Sequence, residues 1–288
     1  PGRDGRLHRY RGAFCAVVQL RPAQHAQRTN QRSVPLMQRK AWVLGLALSL
    51  LIPPPLQAET TEACSPPKPG RYVVMGEGLV AQKPTAHLIV EEWLPDGRIE
   101  GIAFQRSGQD FQSESYTGTY EAQNACKAVV RRPLMSSIAS SIAVLNPSGE
   151  PTYSLAMQPA AVFSSRWFQQ GEQSCRASDL DGVVLSQQRG LSWDGSSWRP
   201  NAVVQREEWR GGTVRGQAFS SYAGQGEQAT YSGQLQVRAD CVARLQETDS
   251  KGTTYNYSAV VLTGGRGYIY LQQEAKDLTL GLLERVSR

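Results

Sequence analysis

Histidine is nearly absent from the 288 residues: there are three, and only His87 lies beyond residue 58. The five cysteines never form a Cys-x-x-Cys pair, so the spacing that holds a structural zinc ion is missing. There is no G-x-S-x-G elbow to present a catalytic serine. The glycines of "GEGLVAQK" and "GGRG" lack the Lys-Ser/Thr that completes a phosphate loop and read as hairpin turns. No stretch beyond residue 58 has a helical period. The longest apolar run, Ala41–Ile52, is twelve residues, too few to span a bilayer as a helix. These gaps exclude zinc chemistry, nucleotide-phosphate binding and a Ser-His-Asp hydrolase. The reading assigns no catalytic residue, no metal and no cofactor.

Positive charge is present but misplaced. The chain carries +6, yet residues 1–58 hold nine Lys/Arg and one Asp, a net of +8. The remainder therefore has 22 Lys/Arg against 24 Asp/Glu, or −2. A nucleic-acid footprint needs cations on the folded domain, so no nucleic-acid partner is expected. Met37 opens a signal-peptide pattern. Gln38, Arg39 and Lys40 precede the apolar Ala41–Ile52, and "PPPLQA" ends in small Ala58 at the expected cleavage site. Residues 1–36 read as upstream sequence outside the fold, 37–58 as the signal peptide and 59–68 as an arm. The expectation is a protein exported to the periplasm or beyond, with no integral membrane span after cleavage. Glu62 before Cys64 departs from a lipoprotein signal and favours soluble export.

What is abundant is repetition. "EEWLPDGRIEGIAF" (Glu91–Phe104) returns as "EEWRGGTVRGQAF" (Glu207–Phe219), with Trp93 matching Trp209. Twelve residues after each Phe comes Tyr116 or Tyr231, and ten further on Cys126 or Cys241. Later, "YSLAMQPAAVFSSRWFQQ" matches "YNYSAVVLTGGRGYIYLQQ", and "DLDGVVLSQQ" matches "DLTLGLLERV". A repeat of this length indicates a duplicated domain, with boundaries read as 69–190 and 191–288.

Within the copies the hydrophobic period is two. In "YSGQLQVRADCVARL" Tyr231, Gly233, Leu235, Val237, Ala239, Cys241, Ala243 and Leu245 alternate with polar residues, which reads as one long strand with a buried face. Its twin from Tyr116 carries Gly118, Tyr120, Ala122, Cys126, Ala128 and Val130 inward. Further strands are divided by "PDG", "GG", "NPSG" and "TGG" turns. About eight short-linked strands per copy fit an antiparallel up-and-down barrel, whose closure removes exposed edges. The fold class is all-β, two such barrels in tandem. The G-x-[YL]-x-[VA]-x-x-x-C pattern, "VVLTGGRGYIYLQ" and the closing "LTLGLLERV" resemble secreted calycin-like barrels of allene-oxide-cyclase or lipocalin-like architecture. "ACSPPKPGRYVVMGEG" with "AHLIVEEWLPDGRIEGIAFQR" is similar to uncharacterised exported proteins of cyanobacteria. The resemblance implies the barrel fold, and an isomerase-like enzyme of the cyclase type as one of three functions.

Candidate ligand-binding residues follow from alternation: Glu91 and Trp93 share a face, as do Glu207 and Trp209, and Tyr120 and Tyr231 face inward. Each acid is either a solvated rim charge or a ligand-facing carboxyl whose burial raises its pKa. His87 has Val203 as its counterpart, so no duty shared by both copies falls to it. Cys64, Cys126, Cys175 and Cys241 are disulfide candidates in an oxidising compartment. A Cys126–Cys175 bond, with Cys64 to Cys241, is the pairing considered, although spacing does not fix connectivity. "SWDGSSW" (Ser192–Trp198) reads as a loop between barrels, its indoles packing an interface or stacking a sugar. The function expected is a small-ligand-binding barrel for an apolar or amphipathic molecule. The alternatives are an envelope interaction protein with filled barrels, then the isomerase.

Overall fold

A strand whose alternate residues are apolar must bury one face, and sixteen such strands close here into two barrels. The computed structural model describes residues 64–123, 126–134, 137–172 and 174–287. The proposed upstream segment, signal peptide and first half of the arm lie outside them. The first barrel is β1 (Gly70–Val80), β2 (Lys83–Trp93), β3 (Arg98–Ser107), β4 (Asp110–Gln123), β5 (Lys127–Leu134), β6 (Ser137–Leu145), β7 (Pro151–Ala156) and β8 (Ala161–Gln170). The second is β9 (Gly182–Trp193), β10 (Trp198–Arg210), β11 (Thr213–Tyr222), β12 (Gln225–Val237), β13 (Val242–Asp249), β14 (Thr254–Leu262), β15 (Gly267–Gln272) and β16 (Asp277–Ser287). Each is antiparallel and closed in sequence order, β1 pairing β8 and β9 pairing β16. The all-β tandem-barrel architecture is thus as the alternation implied.

Register corrects several boundaries. β9 belongs to barrel two, because it pairs along its length with β10. The barrels therefore divide in the connector 171–181 rather than at 190. "DLDGVVLSQQ" leads into the first strand of barrel two and "DLTLGLLERV" lies in the last, so these segments are not equivalent but neighbours in one sheet. The β7–β8 hairpin likewise corresponds to β15–β16, one strand on from β14–β15. "SWDGSSW" is no spacer: it is the β9–β10 hairpin, where Trp193 pairs across from Trp198 with ring centroids 5.6 Å apart. The long strand Tyr231–Leu245 is two strands joined at Arg238–Cys241, where Arg238 N and Val242 O bond at 2.9 Å. Val237 pairs Ala243 six positions on, and partners an even number of positions apart keep the same parity, so inward alternation continues through the turn as if the strand were unbroken.

Cys126 and Cys241 sit in these turns with φ of 59° and 64°, not on a buried strand face. Their partners correct the expected pairing: Cys64 bonds Cys126 and Cys175 bonds Cys241. Each bond ties the segment entering a barrel to the turn before its fifth strand, so the disulfide is duplicated with the domain. Ser65 N to Pro147 O (3.1 Å) and Lys68 N to Gly149 O (2.9 Å) seat the first arm across the end of barrel one.

The two barrels form one compact unit. Val73, Ala86, Leu88, Val90 and Phe104 point out of barrel one and pack in one cluster with Val260, Leu262, Ile269, Leu271, Leu278 and Leu280 of barrel two. Polar bonds fix this contact. Arg106, fully buried, donates to the carbonyls of Gln272 and Gln273, and Gln170 bridges Val261 O (3.0 Å) and Thr263 N (2.8 Å).

The disulfides close loops 62 and 66 residues apart in sequence. Loops of that length contribute about 4 kcal/mol each through the unfolded chain. Peptide mapping without reductant is expected to recover Cys64–Cys126 and Cys175–Cys241. Replacing either pair by alanine is expected to lower the urea midpoint accordingly.

Candidate functional site

At the centre of each barrel a carboxylate is buried among aromatic donors. Glu91 is 1 % exposed and Glu207 is 0 % exposed, so neither is a rim charge. Trp93 Nε1 donates to Glu91 Oε1 at 2.7 Å, and Tyr116 OH to Oε2 at 2.5 Å. Trp209 Nε1 donates to Glu207 Oε2 at 2.7 Å, and Tyr231 OH to Oε1 at 2.9 Å. The repeated sentence encodes this motif. Its acid and indole lie two apart on one strand face, and its glycine lets the tyrosine ring lie flat. A Cβ on Gly101 would fall 2.6 Å from a Tyr116 ring carbon, and one on Gly216 2.2 Å from Tyr231.

The copies diverge in what answers the charge. In barrel one Arg132 Nε and Nη2 grip both Glu91 oxygens at 2.8 and 2.9 Å, and its guanidinium lies 5.1 Å from the Trp167 ring centroid. Six residues after the matching cysteine, barrel two has Glu247 in place of Arg132. Glu247 is 4 % exposed, and its Oε1 has no hydrogen-bond partner. Tyr268 OH instead reaches both Glu207 oxygens at 3.0 and 2.9 Å. Burial pushes Glu207 up to about 7 against the pull of its three donors. Burial, reinforced by the charge of Glu207, raises Glu247 well above the usual carboxyl range. Barrel one thus holds an ion pair, and in barrel two burial favours the protonated form of its two acids.

Pairing register also decides which lumen is open. Ser141 pairs Val130, and at the same place in barrel two Tyr257 pairs Leu245. Ala139 is likewise replaced by Tyr255 and Ser154 by Tyr270. Three tyrosines therefore occupy positions that are Ser, Ala and Ser in barrel one. There Ser154 accepts from Trp167 Nε1 at 3.0 Å, while the space that Tyr255 and Tyr257 would take up is part of a cavity of about 210 Å³ lined by Ala139 and Ser141. His87, Gln105, Arg132, Ser141, Phe163 and Ser165 line it, with Val80 and Gln158 at the mouth between the β1–β2 and β7–β8 turns. The opposite end is shut by Tyr72, Trp93 and Trp167, with Tyr120 stacked on Trp93 at 4.3 Å.

His87 opens partly to this lumen while the barrel wall encloses it, and it contacts Ser165 Oγ at 3.1 Å. Burial and the nearby Arg132 charge push it down to about 3, so its imidazole is neutral. Gln105 Oε1 is buried without a partner in the protein. Among the described residues no group of His, Cys, Asp or Glu side chains is arranged to hold a metal ion.

Glu91 and Trp93 are therefore brought together beneath the cavity, with Tyr120 behind the indole. Glu207, Trp209 and Tyr231 are brought together in the filled barrel, away from any solvated rim. Sequence reasoning passed over Arg132, Glu247 and Tyr268. The signal for the first two was present: an inward-parity charge six residues after each turn cysteine, of opposite sign in the two copies. Tyr268 carried no such mark, since only closure brings β15 to β10.

Fold and lumen together define a tandem closed-barrel protein with one open and one filled calyx. No protein-family model matches the chain, and no curated protein matches it. Among solved structures, the chain is similar to a porin-like protein from Bacteroides uniformis at 9 % identity and a TM-score of 0.23, over 78 % of this chain and 99 % of that one. A likeness at that score supports nothing further about this chain. No helix among the described residues is long and apolar enough to cross a membrane, which says nothing of strands.

Two outcomes follow from the buried charges. Arg132→Leu leaves Glu91 buried and unpaired, at a cost of about 3–5 kcal/mol. Adding Glu91→Gln is expected to recover most of that in chemical denaturation. In barrel two the raised carboxyls bind protons more tightly folded than unfolded. Their stabilisation is complete below the unfolded value of 4.5 and is lost as pH rises, Glu207's share through about 7. Stability measured at pH 5, 7 and 9 is expected to fall, and Glu247→Gln to make the fall shallower while leaving the pH 5 value nearly unchanged.

Proposed function

We propose that this is an exported, non-catalytic carrier in which barrel one holds a small, uncharged amphipathic molecule and barrel two is a filled structural partner. The observation that carries the reading is the 210 Å³ cavity in a lumen whose twin is packed with tyrosines. That volume equals about seven waters at ~30 Å³ each, below the range of drug-sized ligands. Phe163 and Leu134 supply apolar wall. Gln105 Oε1 calls for a donor from the ligand, and neutral His87 and Ser165 supply further hydrogen bonding. Arg132 is already neutralised by Glu91, so the site offers no free charge for an ion. A calyx with one plugged end is also how a lipocalin-like barrel would work. Two disulfides fit an exported protein, because oxidising compartments preserve them.

The filled second barrel favours a second reading for that half, an envelope interaction role in which outer surfaces do the recognition. The isomerase reading has less support: Glu207, the acid tuned to about 7, has both oxygens occupied by Trp209, Tyr231 and Tyr268.

Native mass spectrometry of the protein from an oxidising host, compared with its denatured mass, tests the carrier reading. One small molecule per chain is expected. Ala139→Tyr with Ser141→Tyr, which copies the barrel-two residues into barrel one, is expected to abolish it while the thermal transition persists. Ligand retained in that variant would place binding elsewhere and sink the proposal.

A further inference from the structure

The outer wall of barrel one across β6–β8 and the end of β1 is unusually apolar for an exposed sheet. Val144 (49 % exposed), Tyr153 (56 %), Leu155 (57 %), Met157 (54 %), Val162 (75 %) and Leu79 (44 %) all point outward there. Register makes them one patch: Val144 lies beside Tyr153 and Val162 beside Leu79, while Leu155 and Met157 continue β7 between them. Interface contact with β14–β16 falls on β1 to β3 and on the far end of β8, where Gln170 bonds Val261 O and Thr263 N. Exposed apolar surface that is contiguous marks an interaction site.

Charge selects the occupant. Strands β5–β8 contain Lys127, Arg131, Arg132 and Arg166 and no Asp or Glu. Arg132 points inward to Glu91, which leaves Lys127, Arg131 and Arg166 on the outer face. Lys127 pairs across from Val144, and Arg166 from Tyr153. The carboxylates nearby are Glu121, bridging Arg131 at 3.2 Å, Glu150 before β7, bridging Lys68 at 2.7 Å, and Glu77, which points outward from β1 across from Ser164 of β8. A second copy docked by this face would set these cations against their own kind. An anionic bilayer instead neutralises them while its interface takes up the apolar side chains.

We propose that the β6–β8 face of barrel one docks on an anionic lipid surface, apolar side chains inserted and Lys127 and Arg166 against the headgroups. The patch adjoins the cavity mouth, since Val80, Ala156 and Gln158 line that opening. Docking would therefore bring the mouth to the membrane. The surface proposal nonetheless stands whether or not the cavity has a ligand.

Vesicle flotation of the full chain with phosphatidylglycerol/phosphatidylcholine and with phosphatidylcholine alone tests it. Because residues 41–52 carry an apolar run of their own, the comparison is between the chain and variants of this face. Leu155→Ser with Val162→Ser, both exposed and so tolerated by the fold, is expected to weaken binding to the anionic vesicles at least about tenfold. Lys127→Gln and Arg166→Gln are expected to weaken it about fivefold each, and added salt to do likewise. Unchanged binding in the serine variant overturns the proposal, as does equal binding to the neutral vesicles. Light scattering that finds a dimer lost in the serine variant, without vesicle binding, assigns the face to a second copy and overturns it as well.

Discussion

Each barrel closes around a buried carboxylate, and the rest of the interior follows from how that charge is satisfied. A bare carboxylate in a protein core is too costly to persist. Here an indole from the same strand and a phenol from two strands away reach it in both copies, and a glycine on the strand between makes room for the phenol ring. The motif couples β2, β3 and β4, or β10, β11 and β12, before any long-range partner arrives.

The long-range partner is where the copies part. Arg132 from β5 completes a fully hydrogen-bonded ion pair in barrel one. Glu247 at the same place in barrel two makes a second acid, and Tyr268 from β15 supplies the bond that the arginine would have given. Tyrosines then crowd barrel two at Tyr255, Tyr257 and Tyr270, while Ala139 and Ser141 leave barrel one hollow. Duplication followed by this exchange leaves one barrel hollow and fills the other. The filled copy presents Val260, Ile269 and Leu271 to its neighbour, the hollow copy a cationic, apolar wall to the outside.

Much of this was written in period and repetition. Two-residue alternation gave strands, the Glu-x-Trp repeat gave two domains, and inward parity placed Glu91, Trp93, Glu207, Trp209 and Tyr231 together. The errors have a common physical source. Parity passes unaltered through the turn at Arg238–Cys241, so alternation could not distinguish one strand from a hairpin. Similar hairpins recur around a barrel, so "DLDGVVLSQQ" was matched to a strand that is its neighbour.

Sequence by itself determined the class of fold, the duplication and which acid of each Glu-Glu pair shares a strand face with the tryptophan, because these depend on local pattern and on side-chain direction along a strand. Tertiary structure alone decided which cysteines bond, that Arg132 meets Glu91 while Glu247 faces Glu207, and which lumen stays open. Those depend on the register and closure of strands far apart in sequence, since only a closed barrel brings β15 across from β10 or sets an entering arm against the turn before the fifth strand.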